Sequence, residues 1–366
     1  MRSFSLAGML HVWLTVNRGQ SLQQFRQVWR SQKTFDATRS LSRCYTTSAL
    51  SEDFFLHQVE TTIQKVLSAH SQLVEKDDIL KLPSHAREAL GIARHLNTRL
   101  QAFRRNNDCP RCWMQRAHCI CSQCPPVTSQ RVPIRRIFLV MHHKEIALKV
   151  DTAKLILATF PHQCRLVIGG IGPEYQETMQ EMMDAITQNP HQCLLLFPDD
   201  AAQTCRDLLD TNENDHGDHD DDHDLADSTT IHHKDSVDRE WDLIVLDGTW
   251  VQARKFCQRY FPQEDGPRKV QLSDEAVQNL DSVPGEEMKS ISGHQLRRHA
   301  ISWRQIGTFE ATRLFLKDFD TAIHHQHHGR HPHKTCDADR FWDSIQVYQD
   351  IANLAAQREL GPPRVY

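Results

Sequence analysis

Three common features are missing from this sequence of 366 residues, and each absence excludes a class of protein. No apolar run approaches the ~20 residues that a membrane-spanning helix needs. No secretory signal accompanies the eleven cysteines, so metal binding and free thiols are favoured over a disulfide framework. The glycine-rich stretch 169–173 lacks the GxGxxG pattern of dinucleotide-binding proteins, and we interpret it as an ordinary turn.

Acidic charge is concentrated in one stretch of the chain. Residues 210–235 hold nine Asp and one Glu against one Lys, a local net charge of -9. Because the whole chain carries -4, the rest carries +5, a mildly basic balance that permits an anionic partner such as nucleic acid. The apolar content of 39% and the charged content of 25% are typical of a soluble globular protein.

Residues 1–50 form a basic leader with a single acidic residue, Asp36, and many Ser, Thr and Gln. This composition resembles a mitochondrial transit peptide, and the alternatives are a disordered basic tail or a start codon assigned too early. We expect an intracellular protein, mitochondrial if the leader directs import and otherwise cytoplasmic or nuclear.

Composition divides the remaining chain into three regions. Residues 51–105 have the three- and four-residue apolar spacing of helices, with a break near Pro83. Residues 106–130 hold a cysteine cluster, and residues 131–366 form the main domain. Two stretches of that domain, 210–235 and 324–336, are rich in Asp or His and are predicted to be disordered insertions. The alternative is metal binding through imidazole and carboxylate groups.

The main domain alternates short apolar, β-prone runs with helical patterns. The predicted strands lie at 137–141, 166–168, 194–197 and 243–246, and each precedes a predicted helix. This alternation predicts an α/β fold with a mostly parallel sheet covered on both faces. In such sheets, ligands bind beyond the carboxyl ends of the strands.

The cysteine cluster has the spacing of a zinc site. A CxxC pair is followed by a CxC pair, and the four predicted ligands are Cys109, Cys112, Cys119 and Cys121. Two close thiolate pairs on tight turns can wrap one tetrahedral ion, and a site closed by four ligands is structural rather than catalytic. Cys124 and His118 are alternative ligands. A redox CxxC is the main competing interpretation, but it normally opens a helix after a strand.

An acidic residue follows the strand 243–246 in the sequence Asp247-Gly248-Thr249-Trp250. Asp247 thus lies at the carboxyl end of a predicted strand, where a parallel sheet binds ligands. Gly248 allows a tight turn, and Thr249 is suited to cap the next helix. Trp250 suits either a ligand ring or the core. Along the helix that follows, basic side chains are candidates for phosphate contacts, namely Arg254, Lys255 and Arg259. Taken singly, each of these residues also has a purely structural interpretation.

Together, the cysteine spacing and the Asp-x-Thr-Trp sequence resemble the DTW-domain family, which is named after that motif. Further similarities follow in order, at 141–145 with Asp151-Thr152, at 196–198, and at 296–298 with 307–311. Asp151 stands where the family usually has Asn, which puts a specific polar role there in doubt.

The resemblance implies a tRNA-uridine aminocarboxypropyltransferase. S-adenosylmethionine would donate its 3-amino-3-carboxypropyl group to N3 of a uridine in tRNA, leaving methylthioadenosine. The implied fold is SPOUT-like, with a knotted C-terminal part that holds the donor. Asp247 is the predicted catalytic residue. The predicted donor-binding residues are Phe197, Pro198, Leu246, Thr249, Trp250, Thr308 and Glu310. Arg297 and Arg298 join the helix residues as predicted RNA contacts, and Glu310 is alternatively a structural residue.

Two other functions stay open at this stage. A SPOUT-type RNA methyltransferase would use the same donor and fold but release S-adenosylhomocysteine. A non-catalytic zinc-containing RNA- or protein-binding module would use Asp247 and Trp250 structurally and would not bind the donor.

Overall fold

The computed structural model of the protein describes residues 54–72, 76–128, 131–211, 240–262, 266–281, 307–328 and 337–360. The leader 1–50 and Arg297 and Arg298 lie outside the described residues, as does most of the acidic stretch 210–235. Within the described ranges, no helix combines the length and the apolar character needed to cross a membrane.

The centre of the fold is a five-stranded sheet in the order β2-β1-β4-β3-β5, with every neighbouring pair parallel. Its strands are β1 (Ile134–His142), β2 (Cys164–Gly169), β3 (Cys193–Leu196), β4 (Trp241–Asp247) and β5 (Arg268–Val270). The first four overlap the four strands predicted from the sequence, and β5 was not predicted. The prediction of a parallel α/β sheet is therefore confirmed.

The helices are α1 (Phe54–Ala69), α2 (Lys76–Lys81), α3 (Ser84–Arg105), α4 (Lys154–Thr159), α5 (Glu177–Gln188), α6 (Cys205–Thr211), α7 (Trp250–Tyr260), α8 (Asp274–Asp281), α9 (Thr308–His328) and α10 (Asp337–Leu360). Those between strands cover both faces of the sheet. Phe138 and Val140 of β1 belong to the core cluster that α5 and α7 cover, whereas Leu139 belongs to the cluster shared with α4, α9 and α10. The predicted coverage of both faces is thus present.

Helices α1 and α3 belong to the same core as the cysteine cluster and the sheet. The Phe55 and Trp113 rings lie 5.0 Å apart, and the Gln58 side-chain amide donates to the Leu166 carbonyl of β2 at 2.6 Å. Helix α3 begins directly after Pro83, where the sequence indicated a break. The N-terminal helices therefore pack on the main domain instead of forming a separate unit.

The prediction of disorder over 324–336 was wrong at its start. Helix α9 continues to His328, and the His324 imidazole lies 3.4 Å from the Asp320 carboxylate one turn earlier. The composition of the stretch did not reveal this continuation. The first histidines extend a helix whose earlier turns already pack against α10. In the same way, α6 continues to Thr211, two residues into the acidic stretch.

A buried ion cluster fixes the amino end of β4. The Asp242 carboxylate accepts hydrogen bonds from Arg136 at 2.5 and 2.9 Å and from Arg135 at 2.7 and 3.2 Å. Arg136 also donates to Glu181 of α5 at 2.9 Å. Burial alone would raise the pKa of Asp242, but these arginines hold it below its ordinary value. The cluster is at the opposite edge of the sheet from Asp247.

Candidate active site and metal centre

The carboxyl ends of the three adjacent strands β2, β1 and β4 place chemically active residues at one edge. Met141 pairs with Asp247 in the register of β1 and β4, so His142 follows at the level of the β4 end. His142 in turn pairs with Gly169 of β2. The Asp-x-Thr-Trp turn and the histidines at the end of β1 are therefore neighbours at the edge where parallel sheets bind ligands.

Asp247 is held by a residue from a distant part of the sequence. Its side chain is buried, with the residue only 2% exposed, and Thr308 Oγ1 donates to its Oδ1 at 2.7 Å. Thr308 is the first residue of α9. The contact brings together two of the stretches on which the family resemblance depends.

The residues after Asp247 form the turn and cap of helix α7. Gly248 has a φ of +147°, and a Cβ there would lie 3.3 Å from the Cβ of His142. Thr249 Oγ1 accepts from the Gln252 N–H at 3.4 Å, while the Gln252 side chain accepts from the Thr249 N–H at 2.7 Å. Thr249 thus caps the helix, as the sequence predicted. Its role in binding the donor stays a prediction.

Trp250 stacks on Phe197, with ring centroids 5.2 Å apart and planes 2° from parallel. Phe197 directly follows β3, and its N–H donates to the Val270 carbonyl of β5 at 3.0 Å. Leu246 belongs to the same apolar cluster, Trp250 is half-buried at its margin, and Pro198 follows Phe197. These four predicted donor-binding residues therefore lie together at the carboxyl ends of β3 and β4.

Glu310 is engaged within the protein. It is 1% exposed, and its carboxylate accepts from Arg313 at 2.8 and 3.1 Å, one turn along α9. Arg313 also donates to the Trp342 carbonyl of α10 at 3.2 Å. These contacts match the structural alternative weighed for Glu310, and its assignment to donor binding stays a prediction.

The predicted RNA contacts differ in their surroundings. Arg254 and Lys255 are exposed on α7, and the Arg254 guanidinium lies 5.9 Å from the centre of the Trp250 ring. Arg259 is exposed too, but it donates to both carboxylate oxygens of Glu88 on α3 at 2.9 Å. Helix α7 is therefore joined to α3 by an ion pair.

Three histidines cluster at the same edge, where β1 ends beside β4, and the sequence assigned no chemistry to them. The rings of His142 and His143 stack at 4.3 Å, and the His95 ring of α3 meets His143 at 5.5 Å. Burial lowers the pKa of His142 and of His143 to about 4, so both imidazoles are neutral at pH 7. The one signal in the sequence was the adjacent pair at the end of a predicted strand.

Asp151 caps helix α4. Its carboxylate accepts from the N–H groups of Ala153 at 3.3 Å and Lys154 at 3.1 Å. The two bonds end on different oxygens, Oδ1 for Ala153 and Oδ2 for Lys154, and an Asn at this position has one acceptor oxygen and could keep only one of them as they stand. A Cβ on Gly307 would lie 3.0 Å from the Thr152 hydroxyl, so this turn borders the start of α9.

The four predicted metal ligands converge. The Sγ atoms of Cys109 and Cys121 are 3.6 Å apart, those of Cys112 and Cys119 are 3.7 Å apart, and all four lie within 4.8 Å of one another. A tetrahedral zinc ion with Zn–S bonds of about 2.3 Å requires sulfurs roughly 3.8 Å apart, so the group fits such an ion. The cluster includes neither Cys124 nor His118. The four cysteines can hold a metal ion, and their identity as its ligands stays a prediction.

The backbone around these cysteines makes the tight turns that the spacing requires. Asn107 and Trp113 both have positive φ, at 55° and 60°. The Cys109 N–H donates to the Met114 carbonyl at 2.6 Å and the Trp113 N–H to the Cys109 carbonyl at 2.8 Å. Hydrogen bonding from Cys112 lowers the pKa of Cys109, whereas hydrogen bonding to Cys109 raises that of Cys121. A bound dication would stabilise all four as thiolates.

Comparison with known proteins agrees with the motifs. The family model of the DTW domain matches residues 106–338, which include the cysteine cluster and every strand of the sheet. The chain belongs to the DTW-domain family. That family is known for tRNA modification, and membership is consistent with a tRNA-modifying role. No curated protein and no solved structure matches the chain. Helices α1 to α3 precede the DTW match.

Proposed function

We propose that this DTW-domain protein transfers the 3-amino-3-carboxypropyl group of S-adenosylmethionine to N3 of a uridine in tRNA and releases methylthioadenosine. The observation that carries the proposal is the contact of Asp247 with Thr308, which joins two family motif stretches at the ligand-binding edge. In the reaction, a bond forms between N3 and the γ-carbon of the donor while the bond from that carbon to sulfur breaks. The sulfonium becomes a neutral thioether, and the N3 proton goes to a base.

Asp247 is proposed to be that base. It ends β4 beside the apolar wall of Leu246, Phe197 and Trp250, and that wall suits the adenosine part of the donor. Thr308 would hold one carboxylate oxygen so that the other faces the acceptor. Positioning of the donor and the uridine would supply much of the rate enhancement.

The knotted SPOUT-like fold is part of the same proposal. In the order β2-β1-β4-β3-β5, the connection from β4 to β5 passes β3, and the connection from β2 to β3 passes both β1 and β4. Such crossovers are shared by knotted and unknotted α/β sheets, so the knot is proposed from the family resemblance.

The cysteine cluster is proposed to hold structural zinc. Cys109, Cys112, Cys119 and Cys121 supply four thiolates, which leaves no open coordination position for a reacting group. The ion would fix the turns between α3 and β1. Mitochondrial import through residues 1–50 stays a prediction.

The test is mass analysis of tRNA nucleosides and of the small-molecule product after incubation with S-adenosylmethionine. We expect a mass gain of one aminocarboxypropyl group on uridine, together with methylthioadenosine. Asp247→Asn should abolish the transfer and retain donor binding in calorimetry, whereas Asp184→Asn, an exposed change on α5, should behave as wild type. Normal turnover by Asp247→Asn would remove Asp247 from the mechanism.

The two competing functions predict different products. S-adenosylhomocysteine in place of methylthioadenosine would establish a methyltransferase. Absence of donor binding in calorimetry, with RNA binding retained, would establish a non-catalytic module.

A further inference from the structure

Helix α3, which lies outside the DTW match, crosses the catalytic edge of the sheet. Glu88 binds Arg259 of α7, the His95 ring meets His143, and Arg99 Nη1 donates to the Lys144 carbonyl. Glu88, His95 and Arg99 recur at intervals of seven and four residues, so they form one flank of the helix. That flank contacts segments that follow β1 and β4.

The C-terminal end of the same helix reaches the cysteine cluster. Phe103 is 3% exposed in the core shared with Cys109 and Cys112, and its carbonyl accepts from the Asp108 N–H at 3.2 Å. Helix α3 therefore extends from the last turn of α7 and the segment after β1 to the four-cysteine site.

The solvent side of α3 carries an arginine stripe, which we define as Arg87, Arg94 and Arg105. All three are exposed, and their intervals of seven and eleven residues place them within about 20° of one another around the axis. The 18 residues from Arg87 to Arg105 cover about 27 Å at 1.5 Å per residue. The stripe thus lies opposite the helix's buried face.

The stripe is not neutralised within the described part of the chain. Arg104 is paired with Glu60 and Arg99 is bonded to a carbonyl, but no acidic partner contacts the three stripe guanidiniums among the described residues. Glu88 is the only acidic residue of α3, and Arg259 already engages it. Glycine and polar residues share the stripe's face, namely Ser84, Gly91, Thr98 and Gln101.

We propose that the arginine stripe binds the phosphate backbone of the RNA substrate and leads it from the cysteine cluster to the catalytic edge. Guanidinium groups bind phosphate oxygens in a bidentate manner, and a linear row of them suits a linear polyanion. The stripe lacks the apolar side chains that a membrane-surface helix would insert. The inference rests on the proposed function for the identity of the RNA, and it specifies the surface that tRNA contacts.

The test measures binding of a tRNA transcript by fluorescence anisotropy between 50 and 200 mM salt, with the full chain. The double variant Arg94→Glu/Arg105→Glu should bind at least tenfold more weakly. Its dependence of log K on log salt should become shallower by about 0.7–0.9 for each phosphate that the variant no longer neutralises. A control with the same change in charge, Arg206→Glu/Arg340→Glu, alters exposed residues of α6 and α10 and should stay within twofold of wild type.

Two further measurements separate the outcomes. Circular dichroism and metal content should be the same in both variants, and Arg94→Lys/Arg105→Lys should retain most of the affinity. Equal weakening of tRNA binding in the stripe and control variants would overturn the proposal that the arginine stripe binds the RNA. So would binding of the wild type to phosphatidylserine vesicles in preference to tRNA. If tRNA binding depends on the stripe but the product is S-adenosylhomocysteine, the proposed group transfer is excluded. The proposal that the arginine stripe binds tRNA is then still supported.

Discussion

The Thr308 hydroxyl donates a 2.7 Å hydrogen bond to the Asp247 carboxylate, although 61 residues separate the two in the chain. The bond connects the end of the central strand β4 to the first turn of α9. In our proposal it orients the carboxylate that takes the uridine proton.

Thr308→Val keeps the shape of the side chain and removes the donor. We expect the rate of group transfer to fall roughly 10- to 100-fold, because a hydrogen bond to a charged group contributes about 1.5–3 kcal/mol. Single-turnover kinetics with saturating donor would measure this. Thr308→Ser, which retains the hydroxyl, is the matched control, and equal rates for the Val and Ser variants would exclude the orienting role.

Removing the buried charge of Asp242 should lower the free energy of unfolding and leave binding of the donor unchanged. Asp242→Asn leaves Arg135 and Arg136 without their carboxylate, so the free energy of unfolding should fall by about 3 kcal/mol. Urea denaturation followed by circular dichroism would measure it. Asp184→Asn should change stability by less than about 0.5 kcal/mol, and donor affinity of the folded Asp242→Asn protein should be unchanged.

Loss of one cluster thiol should release the metal. Cys109→Ser is expected to lower bound zinc, measured by elemental analysis of the purified protein, and to destabilise the segment between α3 and β1. Cys124→Ser changes a buried cysteine that does not belong to the four-thiol group. It should retain one zinc per chain, and loss of zinc in both variants alike would mean that the ligand set is different.

The neutral histidines predict a dependence of stability on pH. The pKa of His142 and of His143 is about 4 in the folded state, whereas the ordinary value of 6.5 applies to the unfolded chain. As the pH falls, the unfolded chain therefore takes up these protons at a higher pH than the folded protein does. Stability should therefore decrease as the pH falls from 6.5 to 4 and should level off below that range. Lys144, Arg99 and His95 face the pair and act in the same direction.

Urea midpoints at pH 7 and pH 4.5 would show this decrease, and His143→Asn should reduce it. His162→Asn, at an exposed position, serves as the control and should leave the difference between the two midpoints unchanged. The same pH dependence in His143→Asn as in wild type would assign the effect to other groups.

Local patterns in the sequence predicted much of the architecture. Short apolar runs indicated the central strands, because a strand buried on both faces needs apolar residues throughout. The cysteine spacing indicated the four converging thiols, and the position of Asp247 after an apolar run placed it at the carboxyl edge. Each of these depends on residues that are close in the chain.

The contacts that assemble the site connect distant segments, and no local pattern encodes them. The pairing of Thr308 with Asp247 and of Glu88 with Arg259 depends on the packing of α9 and α3 on the sheet. The ion pair between Glu310 and Arg313 has helical spacing, but its burial depends on α10. The helical start of 324–336 was missed because composition does not reveal a helix continuing from the preceding segment.

Helix α3 has a practical consequence for the isolation of the DTW domain by itself. A fragment starting at the beginning of the DTW match, residue 106, would expose the face of the domain that now packs against Ile92, Leu96 and Leu100. It would also leave Arg259 without its carboxylate partner on α3. Such a truncated domain should aggregate on expression, and a soluble fragment that contains the DTW domain should begin no later than α1.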